Sequence, residues 1–245
     1  MTEAHLPVPF HDHPHWRVNL RPGLYTPELI PSLADCYATI EKTRLRLGGW
    51  DFPYLNPHRN QRQQGGNWVA SWIDFAGHAE YWRLYQSGQF LHLSAVRECI
   101  DSQWRKELED AMKLNLNHIT TFDWSKVNGY VDIQNLNCTI SEIFEFAARL
   151  SQHGIYEGTV TIEVELRKSR GLLLAARPGR LWNIDCIATE ENLGHAWEVG
   201  SDDLVASGAG HALEATRWFL ERFGWIPPNM DPLKKDQERF LKGIA

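Results

Sequence analysis

Four stretches of the chain carry residue types that could do chemistry. The first is EYWRLYQSGQFLHL, Glu80 to Leu93. On an alternating strand Tyr81, Arg83 and Tyr85 share one face, and Glu80, Trp82 and Leu84 share the other. A tight two-residue turn at Ser87-Gly88 would bring Tyr81, Arg83, Tyr85, Phe90 and His92 together as aromatic walls around one guanidinium and one imidazole. Such a face suits a small ligand, a partner protein or a helix of the same chain. The second stretch, Trp50-Asp51-Phe52-Pro53-Tyr54, follows a strand and precedes a polar, glycine-containing loop, where scaffolds often carry binding residues. The same rings would also serve to pin that loop to the body. The expected binding set is Trp50, Asp51, Phe52, Tyr54, Tyr81, Arg83, Tyr85, Phe90 and His92.

The other two stretches are weaker. His11, His13 and His15 alternate and could converge on a metal, but Pro14 interrupts them and no carboxylate or cysteine stands at ligand spacing. Glu163 and Glu165 share a strand, and Asp132 and Asp185 lie on others. A metal-dependent nuclease or hydrolase would place such acids around a cation. Lys168 follows Glu165 by three residues, which puts it on the opposite strand face. There is no HExxH, GxSxG, Walker A or GxGxxG pattern. No catalytic residue, metal ligand or cofactor is therefore assigned.

The elements that must position these residues alternate in kind. Thr26-Pro27-Glu28 reads as a helix start, with Pro31-Ser32 able to restart the helix, and Leu33, Cys36, Tyr37 and Ile40 lie on one stripe. Arg44 to Leu47 alternates as a strand, and residues 51–66 read as an exposed loop. Period-two patterning from Asn67 to Val96 predicts a three-stranded meander turned at Ala76-Gly77 and Ser87-Gly88. Asp101 caps a helix to about Leu114. Tyr130–Ile133 is a short strand, and Thr139 with Glu142 forms a capping box for a helix ending at Gly154. Strands follow at Thr159–Leu166, Leu172–Ala176, Leu181–Ala188 and Ala196–Val199. A long helix runs to Phe223 and an amphipathic one closes the chain. The expected class is α+β, mainly antiparallel sheet with helices on one face. Residues 1–25 read as an N-terminal arm, 26–224 as one domain and 225–245 as a helical tail. The order of elements allows two similar halves, 26–115 and 139–224.

Composition narrows the partners. The 245 residues are 43% hydrophobic with a net charge of −6. That argues against nucleic acid as the main partner, although Arg44, Arg46, Arg59 and Arg62 crowd one region and Arg167, Lys168, Arg170, Arg177 and Arg180 another. The four cysteines show no CxxC spacing, so reduced thiols and a cytoplasmic location are expected. No apolar run is long enough to cross a membrane. Eleven tryptophans are spread along the chain, which favours core building.

RLGGWDFP at Arg46–Pro53 and EYWRLYQSGQF at Glu80–Phe90 resemble a family of uncharacterised bacterial proteins. His15-Trp16-Arg17-Val18 and Trp72-Ile73-Asp74-Phe75 are similar to it too. The resemblance implies a soluble bacterial protein and transfers no catalytic residue. The leading expectation is a non-enzymatic binding or sensor module acting with a protein partner or a second copy, or on a small molecule. It would use the hairpin face and the Trp50–Tyr54 loop. The alternatives are the strand-carboxylate hydrolase and nucleic-acid binding through the Arg44–Arg62 region.

Overall fold

The computed structural model describes residues 10–47, 50–58, 61–75, 77–116, 122–177 and 185–243. Strand alternation writes the sheet plainly. In Thr159–Arg167, Val160, Ile162, Val164 and Leu166 are fully buried, while Glu163, Glu165 and Arg167 point to the other side. The strands in chain order are β1 (His15–Pro22), β2 (Leu45–Leu47), β3 (Trp50–Phe52), β4 (Arg62–Gln64), β5 (Trp68–Phe75) and β6 (His78–Tyr85). They continue with β7 (Phe90–Ala95), β8 (Gly129–Asp132), β9 (Thr159–Arg167), β10 (Leu172–Ala175) and β11 (Asn192–Gly200). Seven of them form one antiparallel sheet in the order β11-β9-β1-β7-β6-β5-β4. β8 and β10 pair in parallel, and β2 with β3 makes a short ribbon.

The helices are α1 (Leu33–Thr43), α2 (Arg97–Ile100), α3 (Ser102–Asn115), α4 (Ile133–Gln152), α5 (Ser201–Arg222) and α6 (Asp231–Leu241). α4 carries a broad apolar stripe: Leu136, Ile140, Ile143, Phe144, Phe146, Ala147 and Leu150 are all buried. A stripe of that width must be covered by other elements. It packs on the inner face of the sheet and against α1, α5 and α6. The fold is α+β, as expected, with helices gathered on one face of a large antiparallel sheet.

Several expectations need correction. The N-terminal segment is more than an arm, because β1 sits in the middle of the sheet, hydrogen-bonded to β7 on one side and β9 on the other. Trp16, Val18 and Leu20 are the apolar face of that strand. The first helix starts at Ser32 rather than Thr26, with the Ser32 hydroxyl accepting from the Asp35 N–H. The Trp50–Phe52 segment is a strand, not loop. Thr139 and Glu142 do not cap α4. The cap is Asp132, whose carboxylate accepts from the N–H groups of Gln134 and Asn135, and Glu142 falls inside the helix. The residues Gly48, Gly49, Arg59, Ala76 and Arg180, and the first half of the strand expected at Leu181–Ala188, lie outside the described residues.

The hairpin differs by one residue, and that changes which side chains meet. The loop is Gln86-Ser87-Gly88, with Gly88 at φ +79° and Leu84 opposite Phe90. Tyr85 N–H donates to the Gln89 carbonyl and Gly88 N–H to the Tyr85 carbonyl, each at 2.9 Å. A three-residue loop with glycine in the left-handed region is a common hairpin solution. Relative to a two-residue turn it shifts the pairing by one, which moves a whole side-chain set to the other face. Phe90 and His92 therefore join Trp82, Leu84 and Glu80 on the inner face. Tyr81, Arg83 and Tyr85 lie on the outer face with Leu91 and Leu93.

Candidate functional site

The inner face of the sheet is apolar except for a stripe near α2 and α4. Glu80 on β6 stands opposite Ser94 on β7, and His92 stands opposite Trp82. Glu80 and His92 are each 2% exposed. A buried polar pair among core-facing positions is far more informative than an exposed apolar one. Glu80 is held from three sides. His78 Nε2 is 2.9 Å from its Oε2, the Tyr54 backbone N–H donates to its Oε1 at 2.8 Å, and His92 Nε2 stands 3.1 Å from Oε1. The His92 contact is an ion-pair approach off the angle of a hydrogen bond, and neither nitrogen of that ring has an aligned partner. Burial alone would raise the Glu80 pKa. The close contacts with His78 and His92 outweigh it and hold the carboxyl down at about 2.

The Trp50–Tyr54 segment closes over this stripe. Trp50 stacks on His78 with ring centres 4.7 Å apart and planes 13° from parallel, and Phe52 packs on His92 at 4.7 Å. Tyr54 anchors the segment through its backbone, since its carbonyl accepts from the Trp82 indole at 2.7 Å while its N–H binds Glu80. Asp51 turns the other way and pairs with Arg44 at 2.6 Å. Between this segment, the sheet, α2 and α4 lies a cavity of about 190 Å³, lined by Trp16, Trp50, Phe52, His78, Glu80 and His92 on the sheet side. Glu98, Asn135, Cys138 and Glu142 line the helical side.

Glu142 is the unusual wall residue. It is half-buried, its carboxyl makes no hydrogen bond or ion pair among the described residues, and it is pushed up to about 8 by burial and by the charge of Glu80. Cys138, one turn earlier on α4, is raised to about 12, first by burial and then by Glu142. Glu98 has partners: its Oε1 accepts from the Asp132 N–H at 3.1 Å and from the Asn135 amide at 2.8 Å. Burial, then the charge of Asp132, raises it to about 7. Asp132 is itself fully buried and tied to Arg177 at 3.0 Å. The cavity thus holds one firmly ionised carboxylate and two acids whose environment favours the protonated form.

Of the binding residues expected from sequence, Trp50, Phe52 and His92 line this cavity, and Tyr54 secures its charged wall. Asp51 does not reach it. Phe90 is fully buried against Phe146 of α4. Tyr81 is buried on the outer side in a small cluster with Phe10, Ala70, Ala79 and Leu93. Arg83 lies on that outer face, its guanidinium 3.8 Å from the Trp68 ring centre and bonded to the Tyr81 and Tyr85 hydroxyls. Phe90 and Tyr81 are therefore framework, and the nine residues do not form a common surface. His78, Glu80, Glu98 and Glu142 belong to the cavity and were missed. Glu80 shares a strand face with Trp82 and Leu84, which was the available signal. Glu142 was masked by its resemblance to a capping residue.

The strand carboxylates do not converge. Glu163 and Glu165 lie on the outer sheet face with Arg17, Asn19 and Arg167, while Asp132 caps α4 on the inner side. Among the described residues no three His, Cys, Asp or Glu side chains are grouped to hold a metal ion. In the arginine-rich region Arg44 is bound by Glu41 and Asp51, and Arg62 donates to the Asn56 carbonyl at 2.6 Å. Among the described residues no helix is long and apolar enough to cross a membrane. No protein-family model, curated protein or solved structure matches the chain.

Proposed function

We propose that the protein is a small-molecule-binding module of sensor type, with its ligand seated in the cavity beneath the Trp50–Tyr54 segment. One observation carries the reading. A carboxylate that is costly to bury is fixed by His78 and a backbone N–H so that it faces a cavity, and aromatic rings close that cavity. Fixed polar groups inside a mostly apolar recess are the usual build of a ligand site. The volume, about 190 Å³, exceeds the roughly 150 Å³ of an apolar cavity known to accept benzene.

A thermal-shift screen of small metabolites on wild type and Trp50→Ala tests this. Compounds that stabilise the wild type should lose at least about tenfold in affinity in the variant, since each about 1.4 kcal/mol of lost contact is tenfold. Ligands that stabilise both proteins equally would place the binding elsewhere and end the reading. Contact with a protein partner fits the outer face of the same hairpin, where Arg83 stacks on Trp68 beside the half-buried Tyr85. Arginine and large aromatics are the commonest interface anchors.

A further inference from the structure

We infer that the cavity takes a small organic cation, a protonated amine or a guanidinium group on a short carbon frame. This rests on the small-molecule reading of the same cavity and names the ligand chemistry. The argument starts from what the wall leaves unsatisfied. Among the described residues the Glu142 carboxyl has no hydrogen-bond or ion-pair partner, and it lines the cavity together with the carboxylate of Glu80. His92, only 2% exposed, also lines it, with neither ring nitrogen in an aligned hydrogen bond. Carboxylates only accept, and a neutral imidazole has one accepting nitrogen. A group rich in N–H donors answers both deficits together.

Other chemistries fit less well. An anion would enter beside the ionised Glu80 and meet like charge. An apolar molecule would leave Glu142 dry and without a polar partner, at the cost of an unsatisfied buried polar group. The aromatic rings agree with the acids, because the faces of tryptophan and phenylalanine attract cations, and Trp50, Phe52 and Trp16 all line the space. The wall's own guanidinium, Arg97, is engaged elsewhere, with Nε 3.8 Å from Asp101 and its plane over Trp104.

A matched series of one chain length isolates the charge: n-butylammonium, n-butanol and butyrate, titrated into wild type by calorimetry. Butylammonium should bind at least tenfold more tightly than butanol, and butyrate should not bind. Cation binding requires Glu142 to give up its proton, so affinity should rise about tenfold from pH 7 to pH 9 for a group titrating at about 8. The groups facing Glu142 across the cavity are Glu80 and His78 on β6, His92 on β7, and Arg97 and Glu98 on α2. Cys138 shares its helix, and α6 brings Asp236 near Cys138. Glu142→Gln, checked for folding by circular dichroism, should abolish the pH dependence and cut butylammonium affinity at pH 9 at least tenfold. Butanol or butyrate binding as well as the amine, with dependence on Trp50, would overturn the cation and leave the ligand site standing. Failure of all three probes to bind wild type would also overturn the cation. The ligand-site reading then stands or falls on the metabolite screen with Trp50→Ala.

Discussion

Glu142→Gln should make the protein more stable in alkali. The wild-type carboxyl titrates at about 8 instead of 4.5, because burial and the charge of Glu80 both resist its ionisation. Glutamine copies the shape of the protonated acid and never ionises. Between pH 4.5 and pH 8 the unfolded chain has shed this proton and the folded chain keeps it. The folded state therefore binds more protons, so wild-type stability falls with rising pH across that window and levels off above it. Raising a carboxyl from 4.5 to about 8, at about 1.4 kcal/mol per pH unit, gives about 5 kcal/mol. Relaxation around the charge should bring the measured gain to about 2–4 kcal/mol. The assay is urea unfolding of both proteins at pH 5 and pH 9. Glu98, raised to about 7, bends both curves alike and cancels in the difference. At pH 5 the two should agree to within about 1 kcal/mol, the usual scale of a mild substitution. If the variant tracks wild type at both pH values, Glu142 is not held against Glu80 in a poorly solvated cavity, and the account of the site fails.

Two further outcomes follow from the same geometry. Glu80→Gln should cost about 2–4 kcal/mol at pH 7, since it removes a buried charge on which His78, His92 and the Tyr54 N–H are organised. Its wild-type carboxyl is held at about 2, so wild type should lose stability as pH falls from about 4.5 toward 2. Acid titration followed by tryptophan fluorescence should show that loss in wild type and a shallower one in the variant. Gly88→Ala should destabilise by more than about 1 kcal/mol, because the residue is held at φ +79° and a Cβ would lie 2.9 Å from Leu29. Gly66→Ala, with nothing within 4 Å of its Cβ position, is the control, and its urea midpoint should stay near that of wild type.

The class of fold was legible in the sequence because local patterning and global packing agree there. The alternation in β9 and the stripe of α4 say the same thing at both levels. Three features were hidden for distinct reasons. β1 is a full-length strand of eight residues, but its partners β7 and β9 lie far along the chain, so nothing near it announces a sheet. The hairpin face depended on one residue of loop length, which Ser87-Gly88 leaves open and which Gly88 resolves only through its backbone angle. Glu142 stands three residues after Thr139, a spacing that imitates a cap, although Ile133, Leu136 and Ile140 already continue the helix back to Asp132. Trp50, Phe52 and His92 were found because rings and an imidazole beside a turn stand out by type. Glu80 was passed over because its importance comes from the company it keeps across strands, not from its neighbours in sequence.

The central place of β1 bears on how the protein is made. The earliest strand in chain order is the seam of the sheet, and neither β7 nor β9 can be flanked correctly until it arrives between them. Pairings between residues so distant close slowly. Until β9 has been synthesised, β1 and β7 would leave a raw hydrogen-bonding edge open to other chains. Crowded overproduction should therefore favour clumping of unfinished chains, and slower translation or a lower growth temperature should raise the yield of folded protein.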